Sequence, residues 1–227
     1  MKIGMITIGQ SPRNDIVQEM RDILGQVEIV ERGCLDSLTR EQIEGLKPKG
    51  KEHFLVTLLR DGSVVQVSKE KTIILLQQLI KELENEDIDL ILMLCTGGFT
   101  NLKSKKIIIE PGKLLHKLVQ GILSEEKRLG VIIPSSGQIE QAKKKWSNVN
   151  HVVVVASPFE KPEEIEEAAK TLDNVDLTVL DCMGYTRRMK EKVKEITAKP
   201  VILPRTIVSR IVRELLISTS TFSSFPK

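Results

Sequence analysis

The chain has 227 residues, 41% hydrophobic and 29% charged, enough for one large domain or two small ones around a buried core. A net charge of +3, with basic residues spread along the chain and only 3% aromatics to stack on bases, argues against a nucleic-acid partner. No apolar run approaches the roughly 18 residues of a spanning helix, and the N-terminal apolar stretch breaks at Gly9, too early for a signal segment; a soluble, cytoplasmic protein with reduced thiols is expected.

Short β-branched runs alternate with amphipathic stretches. A first strand over 2–8 leads to a helix over 13–25, with Ser11-Pro12 read as N-cap and first helical residue. A strand over 27–31 is followed by a helix over 39–46, where Thr39 and Gln42 have capping-box spacing. Residues 53–59 and 64–67 form two short strands about Asp61-Gly62, a strong hairpin signal that interrupts the alternation as an insertion. A helix over 69–85, strands over 88–94 and 107–109, and a helix over 112–124 complete the first half.

The second half reads the same way, with strands over 129–133, 151–156, 177–180 and 201–203 and helices over 136–147, 161–173, 186–197 and 205–217. Nearly continuous apolarity suits strands covered on both faces, so parallel βαβ units are expected. The halves echo each other: Ile3-Gly4-Met5-Ile6 resembles Leu129-Gly130-Val131-Ile132, and Leu94-Cys95-Thr96-Gly97 resembles Asp181-Cys182-Met183-Gly184. The expected architecture is α/β, with two lobes over 1–125 and 126–204, parallel sheets related by a pseudo-twofold, and the hairpin inserted in the first. The helix over 205–217 is expected to pack back on the first lobe, and 218–227 to be a disordered tail.

Ligands of open parallel sheets bind outside the carboxyl ends of the strands. Four polar segments are expected there, starting at Gly9, Cys95, Pro134 and Cys182, two from each lobe. A cysteine just after a strand and before a glycine lies near free backbone N–H groups, which favour the thiolate. Two such thiols, Cys95 and Cys182, on opposite walls of one cleft could remove a proton from a carbon acid and return one to its other face. Gln10, Ser11, Arg13, Thr96, Gly97, Ser135, Ser136 and Gly184 are the candidates for anchoring the acid. Arg13 could equally be a surface residue of the first helix.

Other polar residues suggest blander roles. Cys34 reads as packing, and His53, His116 and His151 as structural or exposed. Lys103, Lys105 and Lys106, and the run Lys143, Lys144 and Lys145, read as solvated faces or turns. The cysteines are far apart without nearby histidines, so no metal is expected. No G-x-G-x-x-G follows the first strand, so no dinucleotide is expected either, and the chemistry needs no cofactor.

Thr7-Ile8-Gly9-Gln10-Ser11-Pro12-Arg13 with Asp15, Thr57-Leu58-Leu59-Arg60-Asp61-Gly62, Cys95-Thr96-Gly97, Ile109-Glu110-Pro111 and Leu180-Asp181-Cys182-Met183-Gly184 together resemble the AroM family, over residues 1 to about 216. That family is similar to the aspartate/glutamate/hydantoin racemase superfamily. The resemblance implies Rossmann-like lobes, a cofactor-independent site between them with Cys95 and Cys182 as its thiols, and a possible homodimer. Met183 replaces the threonine usual after the second cysteine, and the histidine usual soon after that cysteine is missing, with Tyr185 nearby instead. The expected function is a racemase or epimerase of a small carboxylic acid, with isomerase or decarboxylase variants. The alternative is a small-acid-binding or regulatory protein on the same fold.

Overall fold

The computed structural model describes residues 1–50 and 52–216. The end of the last expected helix at residue 217 and the expected tail over 218–227 lie outside the described residues.

Two four-stranded parallel sheets organise the chain. The first contains β1 (Lys2–Thr7), β2 (Glu28–Gly33), β5 (Leu90–Met93) and β6 (Ile107–Ile109) in the order β2-β1-β5-β6. The second contains β7 (Leu129–Ile133), β8 (His151–Val155), β9 (Leu177–Leu180) and β10 (Val201–Ile202) in the order β8-β7-β9-β10. Counted along the chain, both orders are 2-1-3-4, so one topology occurs twice. The central strands β1, β5, β7 and β9 are almost wholly buried, in keeping with their predominantly apolar sequences.

The repeat extends to packing. Gly4 in β1 leaves room for Leu83, whose Cδ1 lies 2.8 Å from where a Cβ would stand, and Gly130 in β7 does the same for Leu172 at 3.2 Å. In each lobe a leucine just before the third strand fills the space over a glycine of the first.

Among the described residues, eight α-helices cover the sheets: α1 (Asn14–Leu24), α2 (Arg40–Glu44), α3 (Lys69–Glu84), α4 (Pro111–Ile122), α5 (Ile139–Lys145), α6 (Glu163–Lys170), α7 (Arg187–Thr197) and α8 (Pro204–Leu216). The capping box of α2 forms, with reciprocal Thr39 and Gln42 bonds. The expected start of α1 is corrected. The Ser11-Pro12 bond is cis and Arg13 holds the N-cap position, so the helix begins at Asn14. The Ser11 hydroxyl donates instead to Asp36 Oδ2 at 2.6 Å. Val208, Val212 and Leu216 of α8 share a buried cluster with Ile16, Val17 and Met20 of α1.

The hairpin of β3 (Phe54–Leu58) and β4 (Val64–Ser68) is antiparallel, with Asp61 accepting from Ser63 and Gly62 at φ +82° closing its turn. It packs on the first lobe through Leu55 and Val67 and touches the second. The Phe54 ring fills the space beside Gly137, and Gln138 Nε2 donates to the Phe54 carbonyl at 3.1 Å.

Candidate active site

Each sheet delivers a cysteine to the same relative place, two residues beyond its third strand, Cys95 after β5 and Cys182 after β9. Cys95 Sγ accepts from Gly97 N–H at 3.3 Å, and Cys182 Sγ from Gly184 N–H at 3.4 Å. Both cysteines are free and line one cavity of about 480 Å³, whose walls come from both lobes and the hairpin.

The cavity wall combines apolar surface with several lysines. Leu55, Val56, Phe99, Ile133, Pro134 and Ala142 supply carbon surface, while Lys69, Lys113, Lys144 and Lys145 bring ammonium groups. Among the described residues, Asp181 is the only carboxylate residue in the lining. Lys113 is paired with Glu110 and Lys145 with Asp181. Lys69 is half-buried and makes no ion pair among the described residues; burial pulls its ammonium pKa down, against the opposing effect of Glu70. A half-buried cation without a counterion is costly, and a bound anion relieves that cost.

Burial dominates the thiols as well. It pushes Cys95 up to about 12, although the Gly97 N–H and the Lys145 ammonium pull the other way. It also raises Cys182, opposed by the Gly184 N–H and by Arg13. Cys34 is 4% exposed and packed in the hydrophobic cluster under the hairpin, and burial raises its thiol too. Tyr185 is buried and donates to the Ala156 carbonyl at 2.7 Å.

The anchoring residues expected from sequence divide. Thr96 and Gly97 line the cavity. Gly184 serves Cys182 through its N–H, with Phe159 and Pro158 packed behind it. Gln10, Ser11 and Arg13 are not in the cavity wall. The Gln10 amide bonds the Leu35 carbonyl and the Arg60 N–H. Ser11 is held by Asp36 and by Arg60 Nε, which donates to its carbonyl at 2.6 Å. Arg13 is 5% exposed and already bidentate with a carboxylate of its own chain, Asp15, at 2.8 and 2.7 Å. Ser135 and Ser136 also stay out of the lining, which takes Pro134 and Gln138 on either side of them.

Sequence reasoning missed the best-connected polar group of the site. Asp181, with its side chain 5% exposed, accepts from Lys145 Nζ at 2.7 and 2.8 Å and from Trp146 Nε1 at 3.0 Å. Lys145 Nζ spends its third proton on the Thr96 carbonyl at 3.0 Å, and Thr96 Oγ1 donates to the Asp181 carbonyl at 2.9 Å. The two cysteine loops are thus tied to each other across the lobes. The expectation of a solvated lysine run holds for exposed Lys143, paired with Glu140, and fails for Lys145. A signal was available, since Ala142 and Trp146, four apart, mark the buried side of this helix and Lys145 borders it.

His53 lines the cavity and faces Glu70 at 3.8 Å, His116 bonds Asn148 against the Trp146 ring, and His151 bonds the Val149 carbonyl. Among the described residues, no group of three or more His, Cys, Asp and Glu side chains is placed to hold a metal, and no helix is long and apolar enough to cross a membrane.

Three solved structures share this architecture at low sequence identity. The aspartate racemase of Picrophilus torridus is 15% identical with a TM-score of 0.57, covering 95% of this chain and 94% of its own. The maleate isomerase of Pseudomonas putida S16 is 12% identical with a TM-score of 0.59, covering 95% and 92%. A glutamate racemase of Bacillus anthracis is 11% identical with a TM-score of 0.62, covering 95% and 81%. Likeness at these identities speaks to the fold, and no curated protein sequence matches the chain. The family profile described as AroM protein, by contrast, matches residues 3–216, nearly the whole described chain, and this chain therefore belongs to the AroM family.

Proposed function

We propose that the protein is a racemase- or isomerase-type enzyme acting on a small carboxylic acid, with Cys95 and Cys182 as its proton-transfer pair. One observation carries the reading. Thiols at equivalent positions of two repeated sheets, each receiving a glycine N–H, line the same cavity. In the reaction one thiolate takes the proton from the carbon beside the carboxylate, forming S–H as C–H breaks. The other thiol gives its proton to the opposite face, and the pair ends with its roles exchanged. A thiol with a raised pKa is scarce as thiolate near neutral pH but a strong base once ionised, which suits a weak carbon acid.

Lys69 and Lys144 take the anchoring role first expected of Gln10, Ser11 and Arg13, because they line the cavity and make no ion pair among the described residues. The apolar wall of Leu55, Val56 and Phe99 faces the rest of the substrate. Racemases and a maleate isomerase on the same fold support this chemistry in general terms.

The test is incubation in heavy water with aspartate, glutamate, hydantoins, maleate, malonates and shikimate-pathway acids, following α-proton signals by NMR. Exchange or conversion that disappears in both Cys95→Ala and Cys182→Ala is expected. Full activity in both variants overturns the thiol assignment. Silence across the panel, with a compound still raising the melting temperature, favours a small-acid-binding protein.

A further inference from the structure

We infer that Lys145 and Arg205 are a matched pair of positioning residues, each holding the one peptide group that hydrogen-bonds a cavity thiol. The carbonyl of Thr96 accepts from Lys145 Nζ at 3.0 Å, while the N–H of the same peptide, on Gly97, donates to Cys95 Sγ at 3.3 Å. The carbonyl of Met183 accepts from Arg205 Nε at 3.0 Å and Nη2 at 2.7 Å, while the N–H of that peptide, on Gly184, donates to Cys182 Sγ at 3.4 Å. A trans peptide is planar, with C=O and N–H pointing in opposite directions. A cation fixed on the carbonyl therefore fixes the line along which the N–H meets sulfur, and it polarises that N–H toward the thiolate.

The two cations reach their carbonyls by different routes, which argues that the carbonyl is what has to be met. Arg205 is the second residue of α8, and its counterpart in the first lobe, the second residue of α4, is Gly112. A Cβ on Gly112 would stand 2.2 Å from the Thr96 carbonyl oxygen, so α4 lies too close for any side chain to reach around. The first lobe instead receives its cation from across the cleft, at the end of α5. Both cations are themselves fixed, Lys145 by Asp181 and Arg205 by the Asp15 carbonyl at 2.9 Å and Glu19 at 3.3 Å. The fully buried Arg205 side chain has no access to ligand, so its role is to hold the loop.

The competing explanation is that Lys145 only neutralises Asp181. The importance of the clamps for turnover rests on the proton-transfer reading, but their existence can be tested without turnover. The full chain is treated with iodoacetamide and the alkylation rate of each cysteine is followed by mass spectrometry. Lys145→Met combined with Asp181→Asn removes the ion pair without changing net charge. It is expected to slow Cys95 alkylation about tenfold, the effect of a one-unit pKa rise on thiolate population, while Cys182, which loses the opposing charge of Asp181, is not slowed. Lys145→Arg, with Asp181 intact, retains the wild-type Cys95 rate. Arg205→Lys, which keeps the buried charge but halves the donors to Met183, is expected to slow Cys182 alone and to move the Gly184 amide proton upfield. Loosening of the core would expose sulfur and speed alkylation, the opposite sign. A double variant that alkylates Cys95 at or above the wild-type rate overturns the clamp, as does a Gly184 amide unmoved in Arg205→Lys. A silent substrate panel with slowed alkylation would end the enzyme reading and leave the clamps standing.

Discussion

Helix α4 contains two glycines whose surroundings make opposite predictions for the same substitution. Neither has positive φ, so the backbone accepts alanine at both, and helix propensity alone favours each Gly→Ala change by about 1 kcal/mol. At Gly121 a new Cβ meets nothing within 4 Å, and the propensity gain stands. At Gly112 it would lie 2.2 Å from the Thr96 oxygen and 2.9 Å from the Thr96 carbon. Those are backbone atoms of the Cys95 loop, pinned by Lys145, so relief requires α4 or the loop to move by about 1 Å, the shortfall from ordinary contact. Overpacking of this kind costs about 1–3 kcal/mol, and Gly112 is buried, so the strain outweighs the propensity term. With about 2–4 °C per kcal/mol for a chain of this size, Gly121→Ala should raise the melting temperature by about 2–4 °C, and Gly112→Ala, at a net cost of up to about 2 kcal/mol, should lower it by up to about 8 °C. Urea midpoints of both variants, with unchanged slopes, give the free energies directly. A Gly112→Ala protein as stable as Gly121→Ala would refute the close approach of α4 to the Cys95 loop, and the account of why its cation comes from across the cleft.

Asp181→Asn leaves the Lys145 ammonium without its partner and should cost about 3 kcal/mol in urea unfolding; Trp146→Phe, which removes one donor to that carboxylate, should cost about half as much. Cys95 alkylation should be slow at pH 7 and rise about tenfold per pH unit with no plateau below pH 10, because burial holds the thiol near 12; a plateau by pH 9 would contradict this. The same raised thiol contributes stability that is complete below its ordinary value of 9.0 and is lost as the pH climbs toward 12, so melting temperatures should fall more steeply above pH 9 in wild type than in Cys95→Ser. Lys69→Met should leave stability unchanged or slightly improved, since it removes a half-buried cation that makes no ion pair among the described residues, while weakening binding of any turned-over acid at least tenfold, on the order of one charge-assisted bond; isothermal titration against both proteins checks it.

Much of the fold was legible because it depends on local pattern. Unbroken apolar runs became the buried strands, the Asp61-Gly62 turn became the hairpin, and Thr39 with Gln42 formed its capping box. The cysteines were readable for the same reason, since position after a strand is a property of the nearby chain. What the sequence could not reveal is who satisfies whom. Ser11 looked like an N-cap because its local grammar is right, yet Asp36, 25 residues away, takes its hydroxyl. Arg13 looked like a carboxylate receptor, and it is one, for Asp15. Lys145 looked solvated in a run of three lysines, and its partners are 36 and 49 residues distant. Polar side chains near a strand end are good candidates for a site, and which of them remain available to a ligand is decided by tertiary pairing.

The return of α8 to the first lobe has a consequence for the order of events during synthesis. Every strand of the first sheet has been synthesised by residue 109, but the buried cluster that α1 shares with that sheet is completed only when Val208, Val212 and Leu216 arrive, after the whole second lobe has been translated. At about 5–20 residues per second, the part of this cluster that α8 closes stays open on the nascent chain for several seconds. The second lobe, whose sheet closes between 129 and 202, has no such wait. Synthesis from the N-terminus thus finishes the first lobe last, and the nascent first lobe is where a holding chaperone would be needed.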